Sequence, residues 1–260
     1  MERTQELDEA RREAEFASQA KLGFLAHVSH ELLAPLNAVI SFSHIMTRQT
    51  FGPINERNKA YAQDIQNSGE NLLALINDVL DISKIEAGEI TSYIERVDLV
   101  SELEHCLKLL KPALDEKALS VELKIETSFA HVNANRTRLR QVFNNLLSNA
   151  IKFSPKRGQI SVGAYKLEIS ALWLSISKDG AGIPEAKIPE IFEPFQQVSG
   201  PLVREQQGIG SGLSIVRSII ELHNFTIRIY SCKGKGTTVE ILIPGDAVPR
   251  MEADQLASRA

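Results

Sequence analysis

Apolar residues recur at steps of three and four over the first part of the chain, and that period fixes it as helical. One stripe runs Leu25, Val28, Leu32, Leu36 and Val39. A second runs Ile65, Leu72, Leu73, Ile76, Val79, Leu80, Ile82 and Ile85. Thr50-Phe51-Gly52-Pro53 breaks the pattern between them, and Ala87-Gly88 stops it. Two long helices with a short connection make an antiparallel hairpin. One hairpin cannot bury both stripes, so two copies are expected to pair into a four-helix bundle. A coiled-coil spacer would show the same periodicity.

Past Val97 and Asp98 the texture changes. The spacing predicts helices over 99–114, 135–153 and 212–223, with strands over 119–125, 159–165, 171–178, 225–231 and 236–243. Leu139, Val142, Phe143, Leu146, Leu147 and Ile151 form the apolar face of the middle helix. Helices segregated against a mostly antiparallel sheet make an α+β sandwich. The expected division is therefore an all-α hairpin over 1–96, the sandwich over 97–245, and a disordered polar tail over 246–260.

Composition removes several classes of function. A net charge of -4 gives no broad basic surface for nucleic acid or anionic lipid. Cys106 and Cys232 stand far apart, so neither a disulfide framework nor a zinc site organises the fold. No apolar run approaches the ~20 residues of a spanning helix, and the polar start is unlike a secretory signal. No membrane contact is expected of this segment. Its expected place is the cytoplasm, alone or as the cytoplasmic part of something longer.

Five short motifs carry a resemblance. Residues 24–37, FLAHVSHELLAPLN, resemble the H-box of sensor histidine kinases, and 145–154, NLLSNAIKFS, resemble their N-box. Residues 180–184 (GAGIP) are similar to the G1 box, 192–195 (FEPF) to the F-box, and 208–216 (GIGSGLSIV) to the G2 box. Each motif alone is weak, but five in order across two suitable halves are specific. The FGPI stretch at 51–54, with DIQNSG at 64–69 and DISKIEAG at 81–88, is most similar to alphaproteobacterial cell-cycle kinases of the PleC and DivJ kind. The resemblance implies a dimerisation and phosphoacceptor hairpin. An ATP-binding domain of the gyrase, Hsp90, histidine kinase and MutL type would follow it.

His30 falls on the helix face opposite the stripe, at ~100° per residue, and is expected to be exposed. A neutral imidazole has a lone pair for attack on phosphorus. Glu31 beside it would take the proton from the other ring nitrogen. An isolated solvated His-Glu pair would look the same; the surrounding motif separates the two readings. Leu33 and Ala34 depart from the family, which has Arg and then Thr or Asn there. That polar side chain helps orient the water that dephosphorylates the partner, and Ala34 has nothing to hydrogen-bond with. Phosphatase activity is therefore in doubt.

Asn145 and Asn149 sit four apart and point the same way. Their amide oxygens suit a hard cation, so both are expected to hold Mg²⁺. By resemblance Lys152 reaches towards the phosphates of ATP and Phe153 towards the nucleoside, with Gly180 and Gly182 in the same site. The gyrase and MutL branches carry a Glu where Asn145 stands, and an amide cannot act as that base. Simple ATPase action is therefore disfavoured. Gly208, Gly210 and Gly212 open a helix whose bare N–H groups suit phosphate. The polar loop over 196–207 would be a lid.

The G1 box contains an anomaly. The family's DxGxG has an Asp that accepts from the adenine amino group, and Lys178 stands in its place, with Asp179 next. Strand parity puts Leu174, Ile176 and Lys178 on one face. Either a bulge turns Asp179 inward, or the adenine contact is missing. The resemblance thus implies a homodimeric kinase that phosphorylates His30 from ATP and passes phosphate to an Asp of a response-regulator receiver. The alternative is a degenerate kinase that docks receivers and hardly uses ATP.

Overall fold

The computed structural model describes residues 28–29, 31–86, 93–125, 131–167, 171–193, 212–245 and 247. His30, Gly208, Gly210, the 196–207 loop and the tail beyond 247 lie outside the described residues. The chain forms two compact units, residues 1–91 and 92–260.

The first unit is a helical hairpin, α1 over 31–47 and α2 over Glu56–Glu86. Pro35 lies one turn into α1, where the missing N–H leaves only the Glu31 carbonyl without its helical donor. The two helices approach closely at Gly69, where a Cβ would lie 2.7 Å from Ile40 and 3.7 Å from Leu36. Gln66 and Thr47 meet by side-chain contact at 3.3 Å, one turn from that crossing. Both helices leave apolar side chains uncovered at seven-residue spacing: Leu32, Val39 and Met46 on α1, Ile65 and Leu72 on α2.

The second unit has strand β1 (Glu95–Asp98), helix α3 (Leu99–Glu116), strands β2 (Ser120–Ile125) and β3 (His131–Ala134), and helix α4 (Arg136–Phe153). Then come β4 (Gln159–Leu167), β5 (Ala171–Lys178), helix α5 (Gly212–Leu222), β6 (Thr226–Cys232) and β7 (Gly236–Ile243). A five-stranded sheet runs β2-β4-β5-β7-β6, and β1 pairs with β3 in a separate two-stranded ladder. Only β2 and β4 run parallel in the larger sheet. One layer of helices on one mixed sheet is the architecture that the patterning predicted.

Alternation decides which face of the sheet is covered. Ile160 and Val162 of β4, Leu172, Leu174 and Ile176 of β5, and Ile241 and Ile243 of β7 share a face by register and are all buried. Phe143, Leu147 and Ile151 of α4, with Ile215 and Ile219 of α5, are buried as well, completing the core. Asp98 caps α3, accepting from the Val100 and Ser101 amides, and Asn135 caps α4, accepting from the Arg138 amide. Glu102 of α3 is 2% exposed and receives Arg136 at 3.0 Å and Arg140 at 2.7 Å, both from α4. At the far end of the unit, the Asn133 amide of β3 donates to the Ala247 carbonyl at 2.6 Å.

Candidate active site

The inner face of α4 is committed to the core, which leaves Asn145, Asn149, Lys152 and Phe153 on its flank, partly exposed. The two asparagines meet the beginning of α5. A Cβ on Gly212 would lie 3.4 Å from Asn145 Oδ1 and 3.7 Å from Asn149 Nδ2. The start of a helix, the positive end of its dipole, therefore faces two side-chain amides. Amide oxygens are suitable ligands for a hard divalent cation, and the helix start suits the oxygens of a phosphate. The described part of the site thus has the chemistry to take a magnesium-bound polyphosphate.

The other end of α4 collects cations. Lys117 Nζ donates to the carbonyls of Ile151 at 2.9 Å and Lys152 at 2.6 Å. Lys178 Nζ donates to the Phe153 carbonyl at 3.2 Å. Positive charge at a helix C-terminus is favourable, and these bonds satisfy carbonyls that the last turn leaves open. Two lysine head groups approach the Phe153 ring, Lys152 Nζ at 5.1 Å and Lys178 Nζ at 5.9 Å from its centroid. Burial lowers the pKa values of Lys152 and Lys178, and the nearby Lys117 charge adds to both shifts. Asp179 acts in the opposite direction on Lys178.

Strand β5 contains no bulge. Its ladder runs unbroken to Lys178, which pairs with Ile160 on one side and Thr237 on the other. Lys178 therefore shares the helix-covered face, and Asp179 is exposed, its amide donating to the Gln159 carbonyl at 3.4 Å. After it the chain turns through Gly180 and Gly182. At Gly182, φ is +64° and a Cβ would run into the Cys232 carbonyl, so only glycine fits. The Ile183 amide is then fixed by Ser231 Oγ at 2.7 Å, while Ser231 donates to the Gly236 carbonyl at 2.9 Å. That commitment makes Thr237 Oγ1, 2.8 Å away, the donor to Ser231. A groove of about 580 Å³ is lined by Gln159, Ser161, Ser177 and Thr238 on the other face of the sheet and reaches Lys178, Asp179 and Thr237 at the strand ends; no residue of α4 lines it.

Glu31 and Ala34 are exposed on α1 in the helical unit. Lys117 and Ser231 are the residues that motif reading missed. Lys117 meets carbonyls 34 and 35 positions away, and Ser231 joins a loop 48 positions away. Neither contact leaves a local pattern.

Two family comparisons now bear on the site. Residues 134–247 match the histidine kinase-, DNA gyrase B- and HSP90-like ATPase family, and residues 20–88 match the His Kinase A (phospho-acceptor) domain. The chain belongs to the histidine kinases. Among relatives of this histidine kinase chain is the non-motile and phage-resistance protein of Caulobacter vibrioides, 39% identical over 89% of the chain and 28% of that protein. The circadian input-output histidine kinase CikA of Synechococcus elongatus is 38% identical over 98% of the chain and 35% of its own length. The cell-division control histidine kinase PdhS of Brucella suis is 36% identical over 92% and 24%. The chain thus spans a third or so of these relatives, or less. Among solved structures, full-length ShkA in complex with AMPPNP superimposes with a TM-score of 0.72 at 26% identity, over 86% of this chain and 46% of that one. No helix among the described residues is long and apolar enough to cross a membrane.

Proposed function

We propose that this chain is the catalytic core of a homodimeric, cytoplasmic sensor histidine kinase, which phosphorylates His30 from ATP and passes the phosphate to an aspartate of a response-regulator receiver. The observation that carries this reading is the meeting of Asn145 and Asn149 with the start of α5 at Gly212. Two amides and a helix start are a polyphosphate site; Gly208 and Gly210, just upstream, would extend it with further backbone N–H groups. Mg²⁺ held by Asn145 and Asn149 would offset the phosphate charge. Lys152 adds a positive charge on the same flank, and Phe153 offers a ring to the nucleoside.

His30 is the nucleophile. One ring nitrogen forms the bond to the γ-phosphorus as the bond to the ADP oxygen breaks, and Glu31 takes the proton from the other nitrogen. Asn145 provides no carboxylate to activate water, so transfer to a side chain is favoured over hydrolysis. Ala34 provides no polar group one turn from His30, so dephosphorylation of the receiver is slow.

Radiolabelled ATP tests the reading. The unmutated protein should acquire acid-labile, base-stable label, and His30→Gln should acquire none while remaining dimeric. Acid-stable label would place the acceptor elsewhere. A second reading, a receiver-docking module that hardly uses ATP, is favoured by Lys178 at the position of the family's acidic residue. It predicts no label in either protein and unchanged receiver binding.

A further inference from the structure

Asn145 and Phe153 are eight residues apart on α4, about 12 Å along its axis. In the reading proposed above, a nucleotide with its phosphates at Asn145, Asn149 and Gly212 extends its base towards Phe153. The chemistry at that end is donor-rich. Lys178 enters from the sheet on the helix-covered face with three N–H groups, one of them on the Phe153 carbonyl. That carbonyl is consequently already engaged. Asp179, the nearest carboxylate in sequence, is exposed, and β5 has no bulge to turn it inward. The neighbouring Thr237 is a buried residue, and its hydroxyl is tied to Ser231.

Adenine presents an exocyclic amino group, two further donors, at its 6-position. A 6-oxopurine presents an acceptor there, O6, beside the acceptor N7, and a lysine ammonium is a natural partner for that O6/N7 edge. We infer that the base end of this site selects a 6-oxopurine nucleotide over adenine, with Lys178 Nζ donating to O6 and N7. The inference rests on the nucleotide-binding reading proposed above and departs from it in the base alone: ATP, the donor named there, is the weaker-binding nucleotide at this site. Lys152 and Phe153 serve either base equally, one as a charge and the other as a ring, so the discrimination lies with Lys178.

Inosine triphosphate isolates the contact, because it differs from ATP at the 6-position and the adjoining N1 proton. Calorimetric titration of the full chain with Mg²⁺ and ATP, inosine triphosphate or GTP reads affinity without requiring phosphotransfer. The unmutated protein should bind inosine triphosphate about 5- to 150-fold more tightly than ATP, the range of one well-made base contact. Lys178→Met should bring that ratio to about one, Lys178→Asp should invert it, and Lys178→Arg, which keeps the donors, should retain it. Equal or tighter binding of ATP by the unmutated protein overturns the inference and leaves the kinase reading intact. A preference that survives in Lys178→Met also overturns it. Failure of all three nucleotides to bind overturns the kinase reading together with the inference.

Discussion

His223 uses both ring nitrogens at the junction of α5 and α4. Nδ1 lies 2.8 Å from the Ile219 carbonyl, and the Asn135 amide donates to Nε2 at 3.0 Å. Only a neutral ring with its proton on Nδ1 satisfies both contacts. Burial lowers the pKa of His223, outweighing the bond to Ile219, which raises it. The folded chain thus binds this proton less readily than the unfolded chain. The stabilisation is complete above the ordinary histidine value and is lost as pH falls through the lower folded value. Urea midpoints should drop between pH 7 and pH 5, and His223→Gln should remove most of that slope; an equal slope in both proteins would discard the assignment. Residue-scale features differ in how far the sequence reveals them. Lys178 was legible as an inward residue, because strand parity is a local property of Leu174, Ile176 and Lys178. Its grip on the Phe153 carbonyl was not, nor was that of Lys117, because both depend on how distant segments pack.

Helices α3 and α4 are joined through Glu102, whose two carboxylate oxygens are divided between Arg136 and Arg140. The carboxylate is buried, whereas the arginine side chains remain 43% and 36% exposed. Both arginines regain water when Glu102 is neutralised. The cost is therefore that of lost charge-assisted bonds, about 1.5–3 kcal/mol, rather than the 3–5 kcal/mol of breaking a wholly buried pair. Glu102→Gln should lower unfolding free energy by that amount in urea titrations, and an unchanged midpoint would show that the network adds no stability. At this scale α4 and α5 were readable from their apolar spacing, and β4, β5 and β7 from alternation. The β1–β3 ladder escaped notice. Four residues, Glu95 to Asp98, are too few to display a period, and the partner strand begins 33 residues later at His131. The parallel pairing of β2 with β4 was equally hidden, since alternation is the same for either strand direction.

The single hairpin leaves Leu32 (47%), Val39 (46%) and Leu72 (47%) open to solvent at heptad spacing beside the packed Leu36–Gly69 crossing. A side chain such as Leu contributes about 1.5–3 kcal/mol when fully buried, and a second hairpin offers the matching surface. Sedimentation should show a dimer. Val39→Lys with Leu72→Lys should yield folded monomers, and a dimer persisting in the double variant would exclude this seam. Within the second unit, strand β3 pairs with β1, the first of its described strands, and its Asn133 amide holds the carbonyl of Ala247, the last described residue. The first strand and the last residue of the described part of that unit are therefore fastened to the same short strand. Tension applied between residues 95 and 247 is met first by the β1–β3 ladder and the Asn133–Ala247 bond.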